Sequence, residues 1–252
     1  MKEKISIILL TSNRKDFSKK TIDGFYERLV NTQFIHLIVI DNNSQDGTVE
    51  MLKEYEANGK IQKLILLGEG ETVNISNAYN LGFKYVESEY FVTGQDDIII
   101  PKLEPDVVEQ LISLMEKYPD VGSIACLIQR VPNLQTDTSN EDLISARKAL
   151  SSYFRIQRKS DFEKMGDNPF STRDWDDIGT LNNIREKLKK EGYWAKNLYC
   201  NHLGYTTDNR GYPSGYKRMW GWNNRKSDNK RKPYPEIDPL TNVPLPNQKL
   251  FR

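Results

Sequence analysis

Short apolar runs and amphipathic stretches alternate along the first hundred residues. Ile5–Leu10 is apolar and rich in β-branched residues, long enough for a strand buried on both faces. It gives way to the polar cluster Thr11-Ser-Asn-Arg14. From Phe17 to Val30 the apolar residues Ile22, Phe25, Tyr26 and Leu29 follow helical spacing. Leu37–Ile40 predicts a second strand, closed by Asp41-Asn-Asn-Ser-Gln-Asp-Gly-Thr48, which is full of turn formers and helix caps. Val49–Tyr55 then predicts a helix, Leu64–Leu67 a strand, Asn74–Val86 a helix and Tyr90–Thr93 a fourth strand. This βαβαβαβ order predicts an α/β domain built on a mostly parallel open sheet with right-handed crossovers and helices on both faces.

Each polar cluster falls at the carboxyl end of a predicted strand, where open parallel sheets place their ligand crevice. The stretch Tyr90–Pro101 is the most informative. An apolar run stops, Gln95-Asp-Asp97 appears, and a second apolar run follows. Core packing does not account for paired carboxylates there. They suit a hard divalent cation that also holds phosphate oxygens; a solvated turn is the structural alternative. At the first two strand ends, Asp41 can accept from a nucleobase or cap the next helix, a task open to Asp46 as well. Arg14 offers a planar fork for phosphate.

Further on the pattern becomes less regular. Asp106–Tyr118 carries Val108, Leu111, Ile112 and Met115 at i, i+3, i+4 and i+7, an amphipathic helix. Gly122–Gln129 predicts a strand, Leu143–Leu150 a helix, Ser151–Ile156 a strand and Lys164–Arg173 an irregular loop. A helix over Asn182–Glu191 is expected to stop at Gly192, before a strand over Trp194–Cys200. From Tyr205 to Lys232 basic residues interleave with tyrosine and tryptophan, and Pro233–Pro246 is proline-rich and predicted extended.

Composition changes this picture little. With 252 residues there is ample chain for a core, and a net charge of +1 announces no polyanionic partner. No apolar run approaches the length of a membrane span. Cys126 and Cys200 lack metal-ligand spacing and read as free thiols of a reducing compartment. A cytoplasmic protein is therefore expected.

Four motifs carry a family resemblance. In order they are Ile7-Ile-Leu-Leu-Thr-Ser-Asn-Arg14, Val39-Ile-Asp-Asn-Asn-Ser-Gln-Asp-Gly-Thr48, Asn74-Ile-Ser-Asn-Ala-Tyr-Asn-Leu-Gly82 and Gln95-Asp-Asp97. Together they resemble the family-two glycosyltransferases of GT-A fold, over about the first hundred residues. The resemblance implies inverting transfer of a sugar from a nucleoside-diphosphate donor, UDP above all, aided by Mn2+ or Mg2+. It implies that Thr11, Asn13 and Arg14 line the nucleotide pocket, that Asp41 contacts the base, and that Asn77 and Asn80 border the donor while Gly82 permits close packing. Asp97 matches the last carboxylate of the family's Asp-x-Asp motif. Gln95 falls where its first Asp is expected, a departure that removes a charge. Asp96 then contacts ribose or sugar, unless the register slips and Asp96 faces the ion with Asp97.

An inverting transfer needs a base for the acceptor hydroxyl. The resemblance points to Arg173-Asp-Trp-Asp-Asp177, with Asp177 first, Asp176 next and Asp174 third; the alternative is that these acids serve a helix N-terminus. By the same resemblance His202 ligates the metal or meets the diphosphate. The expected organisation is a nucleotide-sugar-binding half over 1–129, an acceptor and catalytic half over 130–204, and a basic aromatic tail over 205–252. The acceptor is a glycan or, from the tail's basic and aromatic residues, a nucleic acid such as a hydroxymethylated DNA base. The Gln95 departure keeps open a non-catalytic nucleotide-sugar-binding module.

Overall fold

In a computed structural model of the chain the residues described are 4–71, 73–128, 140–171 and 176–203. The tail from 205, Gln129 and Asp174 lie outside them. The first half follows the predicted alternation: β1 (Ile5–Thr11), α1 (Lys15–Arg28), β2 (Ile35–Asp41), α2 (Thr48–Ala57), β3 (Lys63–Leu66), α3 (Ile75–Phe83) and β4 (Tyr90–Gln95). β1, β2, β3 and β4 pair in parallel.

Successive side chains of a strand point to opposite faces, and β1 shows the consequence. Ile5, Ile7 and Leu9 join one buried cluster with Phe25, Leu52 and Leu111. Ile8 enters a second cluster with Tyr79, Phe91, Phe162 and Phe170. Gly82 lets α3 lie close to the sheet, since a Cβ there would stand 2.5 Å from Ile8 Cγ2.

The second half is less regular. It comprises β5 (Ile98–Ile99), α4 (Val107–Lys117), β6 (Val121–Ile128), β7 (Leu143–Ser145), β8 (Phe154–Arg158), α5 (Lys159–Lys164), α6 (Asp176–Asn183) and β9 (Glu191–His202). The helix α4 starts at a capping box, with the Asp106 carboxylate accepting from Val108 and Glu109. The sheet order is β3-β2-β1-β4-β8-β6-β9-β5, with β7 against β9. β8 runs antiparallel between β4 and β6, so the sheet as a whole is mixed.

Two local expectations are corrected. Leu143–Leu150 is not a helix: Leu143 and Ile144 pair with Ala195 and Trp194 on β9, because these apolar residues satisfy their backbone at the sheet and their side chains in its core. The α5 helix falls in a stretch that carries no clear period. The helix expected over Asn182–Glu191 begins earlier, passes into a π-helical turn over Ile184–Leu188, and ends at Lys189 in the left-handed region (φ 56°), not at Gly192. Gly192 lies inside β9, where a Cβ would stand 2.8 Å from both Leu150 and Leu181. Among the described residues no helix is long and apolar enough to cross a membrane.

Candidate active site

Register alone brings the first residues together. Thr11 lies opposite Asp41, and Leu10 opposite Gln95, so three strands end on one line. The loops beyond are latched to one another. Asn13 adopts φ 52°, which asparagine tolerates better than most residues. Its N–H donates to Ser44 Oγ (2.7 Å), and its side-chain oxygen accepts from the Gln45 N–H (2.7 Å). Asn42 grips the third loop through both its amide groups, which bond the Val73 carbonyl and N–H. Within this frame Asp41 is fully buried. One carboxylate oxygen accepts from Ser44 N–H (2.8 Å); the other has no hydrogen-bond partner among the described residues. Burial pushes its carboxyl up, opposed by the hydrogen bonds from Ser44.

The acid pair at the end of β4 is built around Arg14. Its Nη1 donates to Asp96 Oδ1 (2.9 Å) and to Asp97 Oδ2 (2.7 Å), all three side chains being buried. Asp96 is held further by Ser18 Oγ (3.1 Å), itself 2.6 Å from Thr11 Oγ1, and its carbonyl accepts from the Thr21 hydroxyl (2.9 Å). Burial raises the Asp96 carboxyl against the pull of the guanidinium. Asp97 differs. Its Oδ1 is buried with no hydrogen-bond partner among the described residues. The β5–β9 ladder sets Ile98 opposite His202, and this brings His202 Nε2 to 3.6 Å from Asp97 Oδ2.

A buried carboxylate oxygen without a partner is costly, and a cation would satisfy it. Asp97 and His202 supply a hard oxygen and an imidazole, a set that suits a divalent ion. Among the described residues no group of three or more metal-ligating side chains forms a cage. The residues therefore fit an ion whose remaining ligands come from phosphate and water, as is usual for ions bound together with substrate phosphates.

The second acid pair opens α6. Asp176 Oδ2 meets Arg155 Nη2 (3.1 Å), and its Oδ1 accepts from the Thr180 hydroxyl (2.9 Å). Arg155 is wholly buried, donates also to the Leu150 carbonyl (3.0 Å), and lies over the Phe170 ring. Phe170 in turn is fixed by Asn80, whose amide donates to its carbonyl and accepts its N–H, both at 3.0 Å. The side chain of Asn80 is thus occupied in holding the 166–171 loop against α3. Asn77 sits half-buried in the first turn of α3, its N–H capped by Asn74.

Asp177 is only partly buried, and one of its oxygens accepts the Ser152 N–H (2.9 Å). Burial and the neighbouring Asp176 push its carboxyl from 3.8 up to about 6, against Arg155 and the hydrogen bonds from Ser152. A carboxylate titrating there is placed for proton transfer near neutral pH.

Residues 152 and 153 join the two acid pairs. Ser152 binds Asp177, and the Tyr153 ring meets the His202 ring edge-on at 4.7 Å between centroids. Gln95 touches both, its Nε2 donating to Ser152 Oγ (3.0 Å) and its N–H to the Tyr153 carbonyl (3.1 Å). Sequence reading passed over Ser18, Arg155 and Ser152. Arg155 carried a usable signal, a lone cation between Phe154 and Ile156; the serines carried none.

With this geometry in view, the sequence profile of glycosyl transferase family 2 matches residues 6–174. No curated protein matches the chain. Solved structures do. They include the mannosyltransferase PcManGT from Pyrobaculum calidifontis in complex with GDP-Man and Mn2+ (TM-score 0.64, 18% identity, 84% of this chain and 59% of that one). S. aureus TarS 1–349 in complex with UDP-GlcNAc is another (TM-score 0.57, 15% identity, 79% and 58%). A third is GalNAc-T7 with UDP, GalNAc and Mn2+ (TM-score 0.61, 10% identity, 83% and 45%). At such identities the likeness is one of fold, that of the GT-A glycosyltransferases. The chain spans less than two thirds of the length of each of these three proteins.

Proposed function

The chain belongs to glycosyl transferase family 2, and on that premise we propose that it moves a sugar from a nucleoside-diphosphate donor to a hydroxyl acceptor with inversion. The observation that carries this reading is Asp177: a partly buried carboxylate poised at about 6 beside an acid that is fully committed to structure. In one displacement the acceptor oxygen attacks the anomeric carbon and its proton passes to Asp177. The bond to the diphosphate breaks, and its electron pair leaves with the nucleoside diphosphate.

The donor side is assigned to the loops at the ends of β1, β2 and β4. Asp41 has an oxygen with no partner among the described residues, suited to a donor group on a nucleobase, UDP being the nucleotide favoured by the resemblance. Thr11, Asn13 and Arg14 frame that pocket, Arg14 acting through the Asp96–Asp97 pair it holds. Asp97 and His202 would hold Mn2+ or Mg2+, which when bound supplies positive charge to the leaving diphosphate. Two neighbours of the same fold are in complex with Mn2+.

The acceptor is proposed only as a hydroxyl compound. The basic aromatic segment that motivates a nucleic acid lies outside the described residues. Release of nucleoside diphosphate from UDP- and GDP-sugars with Mn2+, in parent and Asp177→Asn, tests the reading. A loss of about 10²-fold or more is expected. Equal rates would remove Asp177 from the chemistry, and binding without any turnover would favour a non-catalytic nucleotide-sugar-binding module.

A further inference from the structure

Gln95 stands where the family resemblance leads one to expect an Asp, yet the hydrogen bonds described for it go to residues 152 and 153. Its amide donates to Ser152 Oγ at 3.0 Å, while the Ser152 N–H donates to Asp177 Oδ1 at 2.9 Å. Ser152 is 1% exposed, so water has little access to compete for its hydroxyl. The Gln95 amide occupies an acceptor lone pair of that hydroxyl, which turns the hydroxyl proton toward other acceptors. The backbone closes the same device: Gln95 N–H binds the Tyr153 carbonyl and Leu150 N–H binds the Asp177 carbonyl (2.9 Å).

We propose that Gln95 and Ser152 are positioning residues for Asp177, a hydrogen-bonded relay from the end of β4 that sets the orientation and proton affinity of the carboxylate. The inference rests on Asp177 being the base. It gives the Gln in the acidic motif a task in place of metal or donor binding. A carboxylate at position 95 would be unable to donate to the serine and would add negative charge near Asp177. Among the described residues, the charged and titratable groups facing Asp177 are Asp176 on its own helix, Arg155 on β8 and the buried Tyr79 of α3. Asp176 pushes its carboxyl up, whereas Arg155 and both the N–H and the hydroxyl of Ser152 pull it down.

The test is a carbon-13 NMR titration of aspartate carboxyl groups in the full chain, with the Asp177 signal assigned from Asp177→Asn. The parent midpoint is expected near 6. Ser152→Ala should raise it, because the hydroxyl that favours the charged form is lost while the backbone N–H bond stays. Gln95→Leu should raise it less, and the double variant no further than Ser152→Ala, because Gln95 acts through the serine. Gln95→Glu, which keeps the shape and loses the donor, should also raise it and serves if Gln95→Leu fails to fold. An unmoved midpoint in a folded Gln95 variant, or additive shifts in the double variant, would overturn the relay. The pH profile of UDP release from UDP-GlcNAc and GDP release from GDP-mannose separates the two readings. If midpoints move as expected and rates do not follow them, the relay stands and Asp177 as base falls.

Discussion

Two pairs of adjacent acids, one at the end of β4 and one at the start of α6, are built on the same plan and set in different surroundings. In each, the first aspartate is bound by one arginine and one hydroxyl side chain. Asp96 is bound by Arg14 and Ser18, and Asp176 by Arg155 and Thr180. The second aspartate of each pair differs in its surroundings. Asp97 is buried, shares Arg14 with Asp96, and has one oxygen with no hydrogen-bond partner among the described residues. Asp177 instead accepts from the Ser152 N–H with a like charge beside it, and burial together with that charge raises its carboxyl against Arg155 and both groups of Ser152. Identical dipeptides thus acquire different partners from what the fold packs around them.

Exchanging the roles within the second pair is expected to have the largest effect. Asp177→Asn should lower turnover by about 10²- to 10⁴-fold while circular dichroism stays that of the parent. Asp176→Asn should instead act on stability. It strands the buried Arg155, and breaking such a pair costs about 3–5 kcal/mol in denaturant unfolding. If Asp176→Asn abolished turnover in a protein as stable as the parent, the division of labour would be wrong.

A second expectation concerns pH. A carboxyl whose folded value is raised contributes no destabilisation below the unfolded value of 3.8, where both states are protonated. Stability then falls as pH climbs from 3.8 to about 6, because only the unfolded chain releases the proton there. Above 6 the deficit is constant, up to about 3 kcal/mol from the one shifted group. Asp177→Asn removes the deficit, so it should be more stable than the parent at pH 7.5 and equal to it near pH 3.5. Turnover of the parent should rise through pH 6 as the base ionises. Urea melts at the two pH values and a rate profile check both signs.

The first pair predicts smaller effects of another kind. Asp97→Asn should weaken Mn2+ binding by about tenfold or more, since it removes the charged ligand and leaves His202; calorimetry with Mn2+ and UDP measures it. Asp41→Asn should weaken UDP binding by about 1–2 kcal/mol through one altered hydrogen bond, with Mn2+ affinity in the absence of nucleotide unchanged. Equal losses of metal affinity in both variants would merge two sites that the fold keeps apart.

Much of the first half was legible. Alternating apolar runs and 3.6-residue spacings reveal β1 to β4 and their helices, because each element there follows its own local preference and each loop is short. The polar clusters at strand ends pointed to Asp41, Asp96 and Asp97 for the same reason. The later strands were harder. Leu143–Ser145 pairs with a distant strand over Tyr193–Ala195, and a three-residue strand has no period to detect. His202 was located by resemblance, but its approach to Asp97 depends on the β5–β9 ladder.

From the chain alone came the architecture of the parallel half and the identity of the acids that face its rim, because hydrophobic periodicity and turn chemistry are local properties. Only the tertiary structure decided which arginine each aspartate meets, and that the Gln95 side chain bonds Ser152. Those assignments depend on burial and on partners far away in sequence, Arg14 for Asp96 and Asp97 and Arg155 for Asp176. Charge and proton affinity are set by surroundings that no local pattern encodes.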